Sequence, residues 1–249
     1  MPLFKVGSLN LSHNTNKVNR LSNEKYSTDS FRQGDPRVAG VSSEGWTQLI
    51  MEGQPLGTFY TYEFAGYNEK GVSTYYVHDA ETGERTGETT ASPAFKDRTI
   101  TGCAQPKLNL GWNNTFSYRN WSASFFFTGM FGQDVYNGMK AHYTAPDFFA
   151  GGKNVLKEFI TKRPATDTGS NIPSDKFIED GSFLRLQSLT LGYTFRNLDG
   201  WVNSIQLYGT INNVFTITGY DGLDPEVNIG VFTEVLGKAL GVNCCAAAA

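Results

Sequence analysis

Apolar and polar residues alternate in several segments of this chain. Such an alternation is typical of β-strands, because successive strand side chains point to opposite faces of a sheet. The segments at 106–118 and 121–131 are joined by a very short polar stretch, as are those at 183–196 and 201–217. The pattern therefore predicts two long β-hairpins. Single strands are predicted in addition at 3–19 and, more weakly, at 231–243.

The connections between these strands differ greatly in length. The two hairpin turns contain about two to four residues, whereas the connections at 21–105, 132–181 and 218–230 are long. Long loops without structure are unusual in compact soluble domains. Short turns on one side and long loops on the other are typical of outer-membrane barrels. The pattern thus favours an all-β fold forming an antiparallel transmembrane β-barrel wall, with short periplasmic turns and long extracellular loops.

A soluble β-sandwich would show the same alternation, and its core would take up the apolar faces. The alternative interpretation is therefore a secreted or surface β-sandwich that binds glycans, with a glycosidase accessory domain as a third. The barrel interpretation carries a constraint of its own. Barrels of this kind start at about eight strands, and an open sheet in lipid would leave edge hydrogen bonds unsatisfied. About six strands would therefore be one part of a larger barrel.

Composition excludes several classes of function. Of 249 residues, 39% are hydrophobic, and Gly (27), Tyr (12) and Phe (18) are plentiful, which favours strands and turns over helices. The net charge of −3 and the absence of a basic cluster give no reason to expect nucleic acid. Cys103, Cys244 and Cys245 do not form a disulfide framework or a zinc site. The first ten residues lack the pattern of a signal peptide.

No catalytic or metal-binding arrangement is visible in the sequence. His13, His78 and His142 are scattered without metal-ligand spacing, so we expect them to lie exposed in loops or strands. A charged, glycine-rich stretch at 81–93 is expected to be exposed loop, and 153–162 predicts one short helix.

Two acidic groups are candidates for sites. Asp79, Glu81 and Glu84 could suggest the carboxylate pair of a glycosidase, but solvated charge in a loop explains them better. The acids of DGLDPE could bind calcium through hard oxygen ligands, although their spacing is not that of an EF-hand; they are Asp221, Asp224 and Glu226. We therefore expect no cofactor, no metal and no enzymatic activity.

Two longer stretches resemble a known family. FIEDGSFLRLQSLTLGYTF (177–195) and INNVFTITGYDGLDPEV (211–227) resemble signatures near the C-terminus of the SusC/RagA family of TonB-dependent outer-membrane transporters. Weaker similarities follow in the same order as in the family, at LNLSHNTNKVNRL (9–21), MEGQPLGTFYTYEFAGYNEKG (51–71) and FSYRNWSASFFFTGMFGQDVYN (116–137).

The resemblance implies that 1–243 is a C-terminal segment of a TonB-dependent receptor barrel, located in the outer membrane of a Gram-negative bacterium. Members of the family import oligosaccharides or peptides with a SusD-like lipoprotein and the TonB complex as partners. The plug domain and TonB box are expected to be absent from this sequence. The tail at 244–249 looks non-native, and the final segment lacks the terminal aromatic residue usual in the family.

The barrel interpretation assigns a facing to the strands around the second hairpin. The residues expected to face lipid are Leu189, Leu191, Tyr193, Ile205 and Leu207. The residues expected to face the lumen are Thr190, Gln206, Tyr208 and Asn212. Aromatic residues near the short turns would form an interfacial girdle; they are Tyr118, Trp121, Tyr193, Phe195 and Trp201.

Loop tyrosines are the candidates for ligand contact, since aromatic faces pack against sugar rings and tyrosine offers contact area at low entropic cost. They are Tyr60, Tyr62, Tyr67, Tyr136 and Tyr143. Packing among the loops themselves would explain the same residues, and both interpretations stay open here.

Overall fold

The computed structural model describes residues 4–34, 45–145, 149–162, 167, 172–196 and 202–226. The strands of the described part are β1 (Phe4–Ser12), β2 (Ser30–Gln33), β3 (Gln48–Met51), β4 (Thr58–Tyr62), β5 (Phe64–Tyr67), β6 (Ser73–His78), β7 (Arg85–Thr90), β8 (Arg98–Cys103), β9 (Leu108–Tyr118), β10 (Trp121–Phe131), β11 (Asp134–Tyr136), β12 (Ile178–Asp180), β13 (Phe183–Arg196) and β14 (Ser204–Thr218). The helices are α1 (Gly138–Tyr143) and α2 (Lys157–Lys162).

The predicted all-β fold is confirmed, and its main element is a five-stranded sheet in the order β1-β9-β10-β13-β14. All neighbouring strands in this sheet are antiparallel. The chain divides into two compact units, and this sheet belongs to the first, which comprises Met1–Thr15, Pro106–Gln133 and Asp180–Tyr220. The predicted turn at 197–200, Trp201 and the predicted strand at 231–243 lie outside the described residues.

A two-residue turn, Arg119-Asn120, joins β9 to β10. Arg119 has a φ of 55°, in the left-handed region that tight hairpin turns use. The register that follows pairs Tyr118 with Trp121 and continues without interruption to Leu108 and Phe131. The turn thereby places the apolar residues of the two strands on the same face.

A bulge in β13 marks the point from which apolar and polar residues alternate regularly along this strand. Phe126 and Phe127 of β10 are consecutive, yet they pair with Ser188 and Leu186, so that Gln187 is an extra residue in β13. An extra residue in one strand of an antiparallel pair reverses the parity of its side chains. Leu186 therefore lies on the same face as the odd-numbered apolar residues that follow it. The register shifts at the same level between β13 and β14, next to Asn213, whose φ is 51°.

The second unit contains most of the long connections, which are folded. It comprises Asn16–Gln105, Asp134–Glu179 and Asp221–Ala249. Its sheets have the strand orders β2-β3-β4-β8, β5-β6-β7 and β11-β12. Strand β7 lies within the stretch at 81–93, which we expected to be loop; the strand is nevertheless almost wholly exposed. Helix α2 lies within the range predicted to be helical.

The core of this second unit is aromatic. Its buried apolar side chains include Trp46, Leu49, Ile50, Phe59, Tyr62, Tyr75 and Phe177.

No helix among the described residues is long and apolar enough to cross a membrane.

Glu63, between β4 and β5, contacts a residue of β6 and a residue of β7. The expectation that His78 is exposed is wrong, since His78 is 2% exposed, and its Nε2 lies 3.0 Å from Glu63 Oε2. Arg85 donates to both oxygens of Glu63, at 2.7 Å each. The Arg85 hydrogen bonds hold the pKa of Glu63 below its usual value.

Gly129 in β10 is packed too closely for a side chain. A Cβ added there would lie 2.9 Å from the Phe131 ring and 3.1 Å from the backbone oxygen of Phe183. We expect Gly129→Ala to lower the free energy of unfolding by about 1 to 3 kcal/mol, since overpacking forces neighbouring atoms to move. Urea unfolding in detergent micelles, followed by tryptophan fluorescence, measures this change.

Gly209→Ala in β14 is the matched control for Gly129→Ala. Nothing lies within 4 Å of a Cβ at Gly209, so alanine there should leave stability unchanged or raise it slightly by restricting the unfolded chain. Equal loss in the two variants would contradict the close packing at Gly129.

Glu63 predicts a dependence of stability on pH. A carboxyl group whose pKa is lowered on folding contributes stability above its unfolded value, here 4.5, and loses it as the pH falls through the lower folded value. We expect Glu63→Gln to cost about 0.5 to 1 kcal/mol at pH 7, because Arg85 is half exposed and the pair is screened. The cost should vanish well below pH 4.5.

The measurement is denaturant unfolding of wild type and variant between pH 3 and 7. Glu81→Gln, which removes an exposed carboxylate from the neighbouring turn, is the control. A cost for Glu63→Gln that stays constant across this range would argue against an ionic role for Glu63.

Candidate functional site

One face of the five-stranded sheet carries a continuous set of apolar side chains. Cross-strand pairing places Tyr193 opposite Leu207 and Leu189 opposite Ile211. Cross-strand partners share a face, and so the pairing brings together the five residues predicted to face lipid. Several of these side chains are widely exposed: Leu191 by 53% and Leu207 by 61%. Apolar exposure on this scale marks a surface that contacts something other than water.

Aromatic rings cover the middle of the same face. The Trp112 ring lies 5.4 Å from that of Phe125 and 5.7 Å from that of Phe127. The Phe127 ring lies 6.2 Å from that of Phe215, which pairs with Leu186 and so lies on this face. The rings, supplied by β9, β10 and β14, thus form a ladder that passes over β13.

Three of the aromatic residues predicted for a girdle, Trp121, Tyr193 and Phe195, cluster at the end of the sheet that carries the Arg119-Asn120 turn. The ring of Tyr193 lies 4.8 Å from those of both Trp121 and Phe195. Asn120 also donates from Nδ2 to the Tyr193 hydroxyl at 3.4 Å. The cluster combines ring surface with polar groups, as residues at a membrane interface do.

The opposite face of the sheet is polar. Thr190 and Thr210 share a hydrogen bond of 2.9 Å between their hydroxyls, and Tyr208 is 73% exposed. Tyr208 pairs with Gly192, and Asn212 pairs with Ser188. The four residues predicted to face a lumen, which are Thr190, Gln206, Tyr208 and Asn212, therefore share one face.

Arg185 on this polar face was missed by the sequence analysis. It is 8% exposed, its Nε donates to Thr216 Oγ1 at 2.9 Å, and its guanidinium lies 5.2 Å from the Phe183 ring. A charged residue between Leu184 and Leu186 was the available signal. Until the bulge at Gln187 is known, however, the sequence does not show which face Arg185 occupies.

The loop tyrosines are used largely for packing within the second unit. Tyr62 is 5% exposed and lies 6.0 Å from Tyr75, ring to ring. The Tyr67 hydroxyl accepts a hydrogen bond of 2.8 Å from Lys176 Nζ. Burial raises the pKa of Tyr136 strongly. Tyr143, by contrast, is 36% exposed. Of the five candidates, Tyr62, Tyr67 and Tyr136 are thus committed to the fold.

Tyr60 belongs to a cluster built around a buried arginine. Arg98 is 3% exposed and donates from Nη1 to the carbonyl oxygens of Trp46, at 2.9 Å, and Tyr60, at 3.1 Å. Its guanidinium lies 3.8 Å from the Trp46 ring. The Trp46 and Tyr60 rings are stacked 6.2 Å apart. Burial raises the pKa of Tyr60, so its hydroxyl is neutral at physiological pH.

The acidic groups considered as sites are engaged with the protein itself. Asp79 Oδ1 accepts from the backbone N–H groups of Glu81 and Thr82, and these hydrogen bonds lower the pKa of Asp79. Asp221 Oδ2 lies 3.7 Å from Lys140 Nζ. Within the described ranges, no group of three or more His, Cys, Asp or Glu side chains could hold a metal ion.

Comparison with known proteins gives relatives over most of the chain. TonB-dependent receptor P3 of Formosa agariphila is 27% identical over 241 residues, covering 89% of this chain and 23% of that receptor. TonB-dependent receptor SusC of Bacteroides thetaiotaomicron is 27% identical over 246 residues, covering 94% of this chain and 23% of SusC. The chain thus spans about a quarter of the length of these relatives. No family model matches it.

Solved structures show the same fold. The RagAB peptide transporter matches with a TM-score of 0.69 at 20% identity, over 90% of this chain and 25% of the transporter chain. The RagAB peptide importer in its closed-closed state matches with a TM-score of 0.65 at 21% identity, over the same shares. These relatives are receptors and transporters rather than enzymes, in agreement with the expectation of a non-enzyme. The chain is thus similar to TonB-dependent receptors, SusC among them, over most of its length, and it has the fold of part of an antiparallel β-barrel wall.

Proposed function

We propose that this chain supplies wall strands and extracellular loops to an outer-membrane importer that is driven by the TonB complex. The observation that carries the proposal is the exposed apolar face of the five-stranded sheet, with Leu191, Leu207 and Ile211 each more than half exposed. A sandwich would bury such a face against a second sheet. A barrel wall turns it to the hydrocarbon of the membrane.

The direction of the strands follows from the turn. The Arg119-Asn120 turn is short, as periplasmic turns of barrels are, so the aromatic cluster of Trp121, Tyr193 and Phe195 would lie at the periplasmic interface. The apolar face would then contact lipid, and the face with Thr190, Gln206, Tyr208 and Asn212 would line the lumen. The folded second unit would contribute to the extracellular side.

The proposed cargo is an oligosaccharide or a peptide, delivered with the help of a SusD-like lipoprotein. Similarity to SusC and to RagAB, a peptide transporter, supports this class of cargo and partner. Tyr143 and Tyr60 are the predicted loop tyrosines that keep surface for such a ligand, since Tyr143 is 36% exposed and Tyr60 half-buried.

Membrane fractionation tests the proposed location. We expect the native product that contains this chain to sediment with outer membranes and to require detergent for extraction, because its apolar face is unsuited to water. Co-purification of a lipoprotein with it would support the proposed partner. Recovery of the native product as a soluble protein without detergent would overturn the barrel proposal in favour of the β-sandwich.

A pair of arginine substitutions tests the facing of the sheet. Leu191→Arg should lower the free energy of unfolding by about 2 to 4 kcal/mol in bilayers, since it places a charge in hydrocarbon near the middle of the membrane. Thr190→Arg, one residue away on the polar face, should cost much less. Unfolding in lipid vesicles measures both. Equal tolerance of the two substitutions would show that the facing is wrong.

A further inference from the structure

A surface of the second unit combines one exposed aromatic ring, which packs against two more buried rings, with a cation. Phe95 is 49% exposed, and its ring lies 6.1 Å from that of Trp46 and 6.5 Å from that of Tyr60. The Phe95 ring is tilted by 48° and 54° to the other two rings. The guanidinium of Arg32 lies 5.3 Å from the centre of the Trp46 ring and 5.6 Å from that of Phe95. We call these four residues the Phe95 surface.

Arg32 differs from Arg85 and Arg98, which also lie over aromatic rings of the second unit. Arg98 is buried and donates to two backbone carbonyls, and Arg85 is paired with Glu63. Arg32 is exposed, and no carboxylate of the described residues lies in salt-bridge distance of it. Its planar guanidinium therefore keeps donors that suit a carboxylate, which it can bind in a bidentate manner.

The base of the Phe95 surface is held in place before any ligand arrives. Arg98 links the backbones of Trp46 and Tyr60 through one nitrogen and lies against the Trp46 ring. Asp97 accepts hydrogen bonds from the N–H groups of Ala94, at 2.7 Å, and His78, at 3.0 Å, which link the turn that carries Phe95 to the end of β6. Binding to a surface that is already ordered loses less conformational entropy.

We propose that the Phe95 surface binds an acidic sugar unit of an oligosaccharide, a uronate. The C–H face of the sugar ring would pack on the exposed ring of Phe95, and the carboxylate at the ring edge would accept from Arg32. A carboxylate with no ring beside it would satisfy Arg32 but leave the exposed Phe95 ring uncovered. This inference rests on the proposed function, because it names the substrate class that the loops of the importer would meet first.

Titration calorimetry of the full chain in detergent tests the assignment with oligogalacturonate as the probe. We expect binding that weakens as salt is added, since a charged pair at an exposed site is screened. Arg32→Gln should weaken it about tenfold, by removing the cation. Phe95→Ala should weaken it about fivefold, by removing the ring face. A neutral galactose oligomer of equal length should bind no better to wild type than to Arg32→Gln.

Two variants control for general effects of substitution. Arg20→Gln removes another exposed arginine, and Tyr26→Ala removes a 52% exposed ring that stacks on Phe31 at 6.3 Å. Neither should change the affinity. Circular dichroism checks that each variant is folded, and Arg32→Lys should keep part of the affinity because it retains the charge but not the fork of donors.

Several outcomes would overturn the assignment. They are an unchanged affinity in Arg32→Gln and Phe95→Ala, equal binding of the neutral oligomer, and absence of oligogalacturonate binding to folded wild type. If a short peptide binds through its terminal carboxylate and oligogalacturonate does not bind, the ligand of the Phe95 surface is a peptide rather than a uronate. The titration does not depend on membrane location, so a soluble product that binds uronate would refute the importer and leave the Phe95 surface standing.

Discussion

Backbone pairing across the five-stranded sheet is the constraint on which the other features of this chain depend. In hydrocarbon no water replaces a missing hydrogen bond, so strands can cross a membrane only if each one pairs with its neighbours. The pairing of β9, β10 and β13 is continuous apart from the shift at Gln187. That register decides which side chains are apolar neighbours, and it produces an apolar and a polar face from strands that each carry both kinds of residue.

The bulge at Gln187 shows how little is needed to change a face. Without it, the parity of Leu189 and Leu191 would place Leu186 among the polar residues and Arg185 among the apolar ones. With it, Arg185 reaches Thr216 on the polar face, and Leu186 lies on the side of Phe127 and Phe215. A shift of one residue would bring a guanidinium to the face proposed to contact lipid, where its cost is several kcal/mol. The bulge therefore makes the signature stretch compatible with a membrane wall.

The strands of the five-stranded sheet were predictable from the sequence, because alternation and a short turn are properties of residues that are neighbours in the chain. Alternation at 106–118 and 183–196 and a two-residue turn at Arg119-Asn120 suffice for strands and order. The sequence predicted the loops poorly, because strands such as β7 (Arg85–Thr90) contain no apolar alternation and depend on pairing with β6. Buried His78 likewise contacts Glu63, fifteen residues away, and no spacing rule connects the two residues.

The same limit applies to the candidate ligand contacts. The sequence shows only that a loop residue is a tyrosine. Whether that tyrosine can contact a ligand depends on what its ring and hydroxyl already contact in the folded chain. Tyr62 and Tyr67 lie close to Tyr60 in the sequence. Yet the Tyr62 ring packs against Tyr75, and the Tyr67 hydroxyl accepts a hydrogen bond from Lys176. Phe95, by contrast, has an exposed ring face, and Arg32 has guanidinium donors that are available to a ligand. Recognition in these loops therefore depends on pairs that three-dimensional packing leaves exposed together, and only the folded chain shows them.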